Sequence, residues 1–362
     1  MKYSALLLTL VIVLCSCATH NGGDAATALQ GRREYELMKY RDPATGRIPD
    51  NIRQRESEFS QGLAIRNKDV EDVQADVWQR RGPWNIGGRT RALCLDTLDE
   101  RILVAAGVSG GAWRSEDEGV TWVKTTRPDQ LHSATCIVQD KRVGHTSDWY
   151  MGTGEAYGNS AQISGNGIWK STDGARSWTA IPSTISPAIQ SNNDFAYTWR
   201  IVVLPSSSRT VILVASALRG ILRSVDGGTT WTRVLSSNSY FSDLLIASDG
   251  VLYATLSSFD GSGGGVASRS GVYMSTDEGT TWSDITPSDL TKPFNRIVLG
   301  LVPNYPDQML AIAETPGKGT KSLFILRDGT REEWHSLWKR SKGAWLNKSA
   351  NIPLFGLSLI HI

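Results

Sequence analysis

A nine-residue stretch, Arg114-Ser115-Glu116-Asp117-Glu118-Gly119-Val120-Thr121-Trp122, returns three times along this chain of 362 residues. The copies run from Lys170 to Trp178, from Arg223 to Trp231 and from Met274 to Trp282, all on the pattern Ser-x-Asp-x-Gly-x-Thr/Ser-Trp. Their tryptophans lie 56, 53 and 51 residues apart, and Trp334, 52 further on, closes a worn fifth copy that begins at Leu323. A period of about fifty residues signals a repeat architecture, in which each unit stacks on its neighbours to bury a face it cannot bury alone.

Each repeat contains four short runs rich in β-branched and aromatic residues. In the first these are Arg91–Leu95, Ile102–Ala106, Ala112–Arg114 and Thr121–Val123. Turn residues separate them, so each repeat reads as a four-stranded antiparallel meander. The matching openings are Thr135–Val138, Arg200–Val203, Leu244–Ile246 and Arg296–Leu299. The expected fold is therefore all-β: a β-propeller with about five blades present. The Ser-x-Asp turn joins third and fourth strands, where Ser and Asp oxygens accept turn N–H groups, glycine supplies positive φ and tryptophan packs between sheets. The residues assigned to this fold staple are Ser115, Asp117, Gly119 and Trp122; Ser171, Asp173 and Trp178; Ser224, Asp226, Gly228 and Trp231; and Ser275, Asp277, Gly279 and Trp282. In the second copy Ala175 stands where glycine is expected, after Gly174, which predicts a slightly reshaped turn.

These copies resemble the Asp-box, or bacterial neuraminidase repeat, shared by sialidases, xyloglucan-degrading glycosidases, sortilin-type propellers and a photosystem assembly factor. Arg81-Gly82-Pro83-Trp84-Asn85-Ile86-Gly87-Gly88-Arg89 further resembles the opening of sortilin-like propellers in surface proteins of Bacteroidetes-type bacteria. The resemblance covers about residues 33–340. It implies the fold, and it implies that the boxes lie on the face away from the ligand; it says little about function, because function resides in sites rather than folds.

The ends of the chain read separately. Lys2 precedes an apolar run, Ala5–Leu14, too short to span a bilayer, so residues 1–16 are an expected export signal. Leu14-Cys15-Ser16-Cys17 resembles a lipobox, making Cys17 the expected lipid-bearing first residue of a protein anchored to the bacterial outer membrane or cell surface. A plain secretory signal is the alternative. Residues 17–29 read as a flexible tether, 30–78 as a helical lead-in and 79–356 as the propeller. Arg47-Ile48-Pro49 matches the opening signature of sialidases but sits among turn residues, and is set aside. Residues 357–362 match one reading frame of a common library adapter, so the propeller is expected to continue beyond them and to be incomplete as given. Cys94 and Cys136, each three residues into a first strand, are expected to be buried, unpaired thiols.

Net charge is +2, which gives no electrostatic case for nucleic acid or an acidic membrane surface, so any membrane contact is through the lipid. Second-to-third-strand loops and inter-blade linkers share the face opposite the Ser-x-Asp turns. They are long: Gly107–Gly111, Gly152–Gly167, Ser216–Gly220, Ser257–Gly271 and Glu314–Lys321, with linkers Thr125–Ser133 and Pro182–Trp199. The candidate acids on that face are Glu155, Asp194, Asp260 and Glu314. Glu155 and Glu314 are the candidate catalytic pair, since a glycosidase needs two carboxylates about 5 to 9 Å apart; the alternative is that they brace glycine-rich loops. Arg91, Arg200 and Arg296 open the first strands of repeats one, three and five, and either converge on a carboxylate or sulfate ligand or tie blades together. Tyr197 and Trp199, with Trp149, Tyr150 and Tyr157, can stack on sugar rings or pack blades. No metal-ligand spacing, nucleophile elbow or phosphate loop appears, so no cofactor or metal is expected. The sequence favours a non-catalytic, exported propeller that binds an extracellular protein or glycan, with a glycoside hydrolase of sialidase or xyloglucanase type as the alternative.

Overall fold

The computed structural model describes residues 41–59 with small gaps, and 89–351 apart from 131–132, 156–161, 188–192, 206–207, 262–264, 303 and 327–328. Cys17, the tether, Trp84, Tyr157, Asp328 and residues 357–362 lie outside the described residues. The chain divides into two units, Met1–Gln79 and Arg80–Ile362. In the first, Asp42 and Arg47 close a turn by the Asp42 N–H to Arg47 carbonyl bond of 2.9 Å, so Arg47 is not on a strand. Helical residues follow at Gln54, Arg55, Glu58 and Phe59, with Gln54 donating to Glu58 one turn on at 2.9 Å.

The second unit is a β-propeller of antiparallel blades. Blade one is β1 (Thr90–Leu95), β2 (Leu103–Gly107), β3 (Gly111–Ser115) and β4 (Val123–Lys124); blade two is β5 (Ala134–Gln139), β6 (Trp149–Thr153), β7 (Ile168–Ser171) and β8 (Thr179–Ala180). Blade three is β9 (Thr198–Val203), β10 (Ile212–Ser216), β11 (Gly220–Ser224) and β12 (Thr232–Ser236); blade four is β13 (Ser242–Ile246), β14 (Leu252–Leu256), β15 (Gly271–Ser275) and β16 (Ser283–Asp284). Blade five contains β17 (Ile297–Val302), β18 (Tyr305–Glu314), β19 (Thr320–Leu326), β20 (Gly329–Ser341) and β21 (Ala344–Asn347). The second strands β6, β10 and β14 are buried on both faces, which is why Trp149–Thr153, Ile212–Ser216 and Leu252–Leu256 run apolar instead of alternating.

Four hydrophobic clusters fill the spaces between consecutive blades. Between blades one and two, for example, Ala92, Val104 and Ala106 meet Trp149, Met151 and Trp178; between four and five, Tyr253 and Val272 meet Ile297, Met309 and Trp338. Small side chains on one sheet accept large ones from the next. Polar ties cross the same seams: the Arg114 Nε donates to the Gly174 carbonyl at 2.8 Å, Arg223 repeats this to Glu278 at 2.7 Å, and the Thr255 hydroxyl donates to the Ile297 carbonyl at 3.0 Å.

The four Ser-x-Asp turns are built alike. The Ser115 hydroxyl donates to Asp117 at 2.7 Å and accepts the Gly119 N–H at 2.9 Å; Asp117 accepts the Thr121 N–H at 2.8 Å and its hydroxyl at 2.6 Å. Residues Glu118–Gly119, Gly174–Ala175, Gly227–Gly228 and Glu278–Gly279 all have positive φ. The reshaping expected at Ala175 is therefore absent from the backbone: it adopts φ 64° and still donates to Ser171 at 2.9 Å. What changes is the tryptophan. Trp122, Trp231 and Trp282 donate to the carbonyl of the turn glycine, Trp231 sharing its N–H with Ser183 of the preceding linker at 3.1 Å, whereas Trp178 donates to Thr125 of its preceding linker at 2.9 Å and is buried.

The fifth copy is corrected. Thr320–Leu326 pairs with Gly329–His335 as a hairpin inserted in the connection from β18 to the third strand of blade five. That third strand is the second half of β20, with Met309–Glu314 opposite His335–Arg340, and its turn to β21 is Lys342–Gly343. Trp334 thus belongs to the opposite face from the four true turns, and Trp338 is the tryptophan in the seam. Cys94 and Cys136 are both free, and they are not equivalent: both first strands bulge at the same step, after which Cys136 opposes Gly152 as Ala92 opposes Ala106, whereas Cys94 lies two residues further on, opposite Val104. Cys136 is buried and its thiol is pushed up to about 11 by that burial, with Arg200 opposing; Cys94 is only half-buried.

Two outcomes follow from the turns. Removing the Ser224 hydroxyl leaves the buried Gly228 N–H without its acceptor, so Ser224→Ala is expected to lower unfolding stability by about 1–3 kcal/mol in denaturant titration. Hydrogen bonds from Thr230 and Thr281 hydroxyls, then their N–H groups, hold Asp226 and Asp277 at about 2, and Thr121 does the same for Asp117. Asp173 reaches about 2 although burial opposes it, through Ser171 and Ser177. These folded values lie below the ordinary 3.8, so the stabilisation is complete above that pH and is lost as pH falls towards 2. The melting temperature is expected to drop across that window, and to drop less in a variant with all four aspartates changed to asparagine.

Candidate functional site

Innermost strands begin, and second strands end, on the face opposite the Ser-x-Asp turns. There the loop after β6 is pinned by a β-bridge, Glu155 to Ile163, with backbone bonds of 2.7 and 3.1 Å. Gly154 enters it at φ 90°, and a Cβ there would lie 1.9 Å from the Ala196 carbonyl oxygen, so this close approach admits only glycine. Gly165 donates to the same carbonyl at 2.8 Å. The loop then reaches two tyrosines of later blades: Gln162 donates to the Tyr240 hydroxyl, and the Ser164 and Tyr197 hydroxyls are 2.9 Å apart.

Glu155 is sealed from solvent, 0% exposed, with Arg89 Nη1 at 3.0 Å and Arg91 at 3.8 Å. Burial, then the neighbouring Tyr197, push the Tyr240 hydroxyl up; Gln162 opposes and the Glu155 charge adds to the rise. Beside Tyr240 an aromatic layer builds up. Trp199 donates through Nε1 to the Tyr240 carbonyl at 2.9 Å, its ring lies 5.4 Å from Phe241, and Tyr240 meets Phe241 edge-on at 4.9 Å and Phe259 at 5.8 Å. The Arg296 guanidinium sits over Trp199, 5.7 Å from the ring centroid. Glu314 is its cross-strand neighbour: the Glu314 N–H donates to the Arg296 carbonyl at 3.0 Å. Arg200 donates to Asp243 at 3.1 Å, and the other oxygen of Asp243 accepts the Leu299 N–H at 3.2 Å, tying blades three, four and five.

The structure thus joins Glu155, Arg91, Tyr197, Trp199 and Arg296 into one network on the loop face, with Glu314 and Arg200 at its edge. It does not set the three arginines in equivalent places. Register shifts put Arg91 and Trp199 at matching bulge positions, while Arg200 lies one step further and Arg296 precedes β17. Glu155 lies in the interior, held by two arginines. Asp194 is likewise held by two arginines: burial works to raise its carboxyl, but Arg233 and Arg219, each at 2.7 Å, hold it below the usual range. Trp149 and Tyr150 are fully buried blade packing. Arg89, Gln162, Tyr240, Phe241, Phe259 and Asp243 were missed by sequence reasoning. The adjacent aromatics Tyr240-Phe241, just ahead of the fourth innermost strand, were the available signal.

Among the described residues, Asp140, His145 and Asp148 bring ligand atoms within 4.8 Å of one another. Arg142 at 2.6 Å from Asp140 and Lys170 at 2.9 Å from Asp148 already neutralise the two carboxylates, which suits an ion-pair cluster rather than a cation site.

No family model matches the chain. It is 27% identical over 290 residues to the xyloglucanase Xgh74A of Acetivibrio thermocellus, covering 68% of this chain and 32% of that protein. A xyloglucanase of a Paenibacillus species is 29% identical over 290 residues, covering 71% and 27% respectively. The chain therefore spans about a third of the length of the curated relatives it matches. Among solved structures, the Niastella koreensis GH74 enzyme superposes with a TM-score of 0.52 at 21% identity, over 72% of this chain and 38% of that one, a likeness of fold.

Proposed function

We propose that this chain is the propeller part of an exported protein that acts on extracellular polysaccharide as a glycoside hydrolase of xyloglucanase type, holding the polymer on its loop face. The observation that carries this reading is the similarity to xyloglucanases over about two thirds of the chain. The loop-face network is compatible with it, since it combines hydroxyls, aromatic edges and half-buried Glu314 on a rigid scaffold. We further propose the domain division 17–29 tether, 30–78 lead-in and 79–356 propeller, with Cys17 carrying a lipid.

A non-catalytic glycan binder is the second reading, favoured by one observation: Glu155, one of the two candidate acids, is sealed beneath arginines. Assays on the full chain separate the two. Xyloglucan is expected to bind and to yield new reducing ends, with Glu314→Gln abolishing release while binding persists. Tyr197→Ala is expected to weaken binding about tenfold. Binding without release, in wild type as in Glu314→Gln, selects the second reading, and failure to bind any glycan removes both. Glu155→Gln is expected to act on stability, lowering it by on the order of 2 kcal/mol, because two arginines lose a buried partner. A Glu155→Gln protein that melts like wild type but releases no sugar would show that Glu155 is an acid of the reaction and not a brace.

A further inference from the structure

Accessible charge at the loop face is distributed unevenly. Arg89 and Arg200 have side chains 42% and 44% exposed, whereas the carboxylates that hold them, Glu155 and Asp243, are 0% and 9% exposed. Each acid is also fixed from behind, Glu155 by the bridge to Ile163 and Asp243 by the Leu299 N–H. A guanidinium carries five N–H donors in a rigid fork, so an arginine anchored on a buried acid can still turn donors outward, already oriented. Arg296, half-buried, is oriented by a different device, the face of Trp199. Three arginines are thus pre-set by three different supports around one network.

The surface that would favour a neutral sugar is less accessible. Trp199 and Tyr240 are 7% and 9% exposed, so their rings support Arg296 and the blade seam and offer little face for stacking, which leaves the half-buried Tyr197, Phe241 and Phe259 as the aromatics within reach of a sugar. Acids do occur on this face. Asp194 is clamped by two arginines, and Glu314, the last residue of β18, precedes the turn that carries Lys318. Asp260 is half-buried, and on the inter-blade linkers Asp129 pairs with Arg127 at 3.1 Å while Asp289 accepts from Trp338 Nε1 at 3.0 Å and Asn347 Nδ2 at 2.6 Å.

We infer that the loop face selects polysaccharides bearing carboxylate or sulfate groups, with Arg89, Arg200 and Arg296 reading the charge. The inference rests on the glycan reading above and departs from the uncharged polymer named for the relatives. Charge-assisted, forked hydrogen bonds are the strong class of polar contact, and planar oxyanions match the guanidinium fork.

The test compares four polymers on the full chain by binding isotherm: xyloglucan, polygalacturonate, dextran sulfate and plain dextran. The expected result is binding of at least one anionic polymer about tenfold or more tighter than of its uncharged counterparts, weakening with added salt. Polygalacturonate ahead of dextran sulfate assigns a carboxylate; the reverse assigns a sulfate. Arg89→Gln and Arg200→Gln are each expected to lower the ratio of anionic to xyloglucan affinity about tenfold, with Arg200→Lys, which keeps charge and loses the fork, in between. Arg200→Gln leaves Asp243 without its partner, so melting curves accompany every variant, and Arg89→Gln with Arg200→Lys decide the matter if it does not fold. Equal affinity for charged and uncharged polymers overturns the inference, as does an anionic preference that survives in folded Arg89→Gln and Arg200→Lys. Xyloglucan binding without anionic preference overturns the inference alone; no binding of any polymer overturns the glycan reading as well.

Discussion

Burial between blades is the constraint on which the rest depends. A four-stranded meander of this size has two large faces, and alone it leaves both wet. Pairing each sheet with the next turns those faces into the four hydrophobic layers that contain, in order, Trp149, Tyr150, Leu252 and Trp338. Removing apolar area from water at about 25 cal/mol per Å² supplies the drive. The drive is non-directional, so polar contacts must set how one blade sits on another. Arg114 and Arg223 do so by reaching from a third strand to the next blade's turn, and Asp243 by linking Arg200 of one innermost strand to the Leu299 N–H of another.

The same economy places the site. Innermost strands lie side by side around the axis, so residues that open them are brought close without any local sequence proximity. Trp199, Tyr240 and Arg296 belong to blades three, four and the start of five, yet Arg296 lies over the Trp199 ring and Trp199 donates to the Tyr240 carbonyl. The blade-two loop closes over its edge because Gly154 and Gly165 let backbone meet backbone at the Ala196 carbonyl. Rigidity at this face therefore comes from packing beneath it and from few, well-formed polar links above it.

Ionisable groups divide by role along the same lines. Aspartates of the Ser-x-Asp turns are held at low values by hydroxyl and N–H donors and serve the fold. Glu155 and Asp243 are interior anchors for arginines that remain partly in water.

Sequence by itself determined the repeat, the all-β blades, the Ser-x-Asp turns and which loops share a face, because these depend on local periodicity and turn chemistry that each repeat carries within itself. It misread the places where register departs from the repeat. Bulges at Arg91 and Trp199 broke the apparent equivalence of the arginines, and an inserted hairpin made Trp334 look like a fifth turn when Trp338 fills the seam. Only the tertiary structure decided that Glu155 is interior, that Asp243 orients Arg200, and that Gln162 meets Tyr240 from two blades away. Such contacts join residues tens of positions apart, and their partners are fixed by how sheets stack rather than by any pattern along the chain.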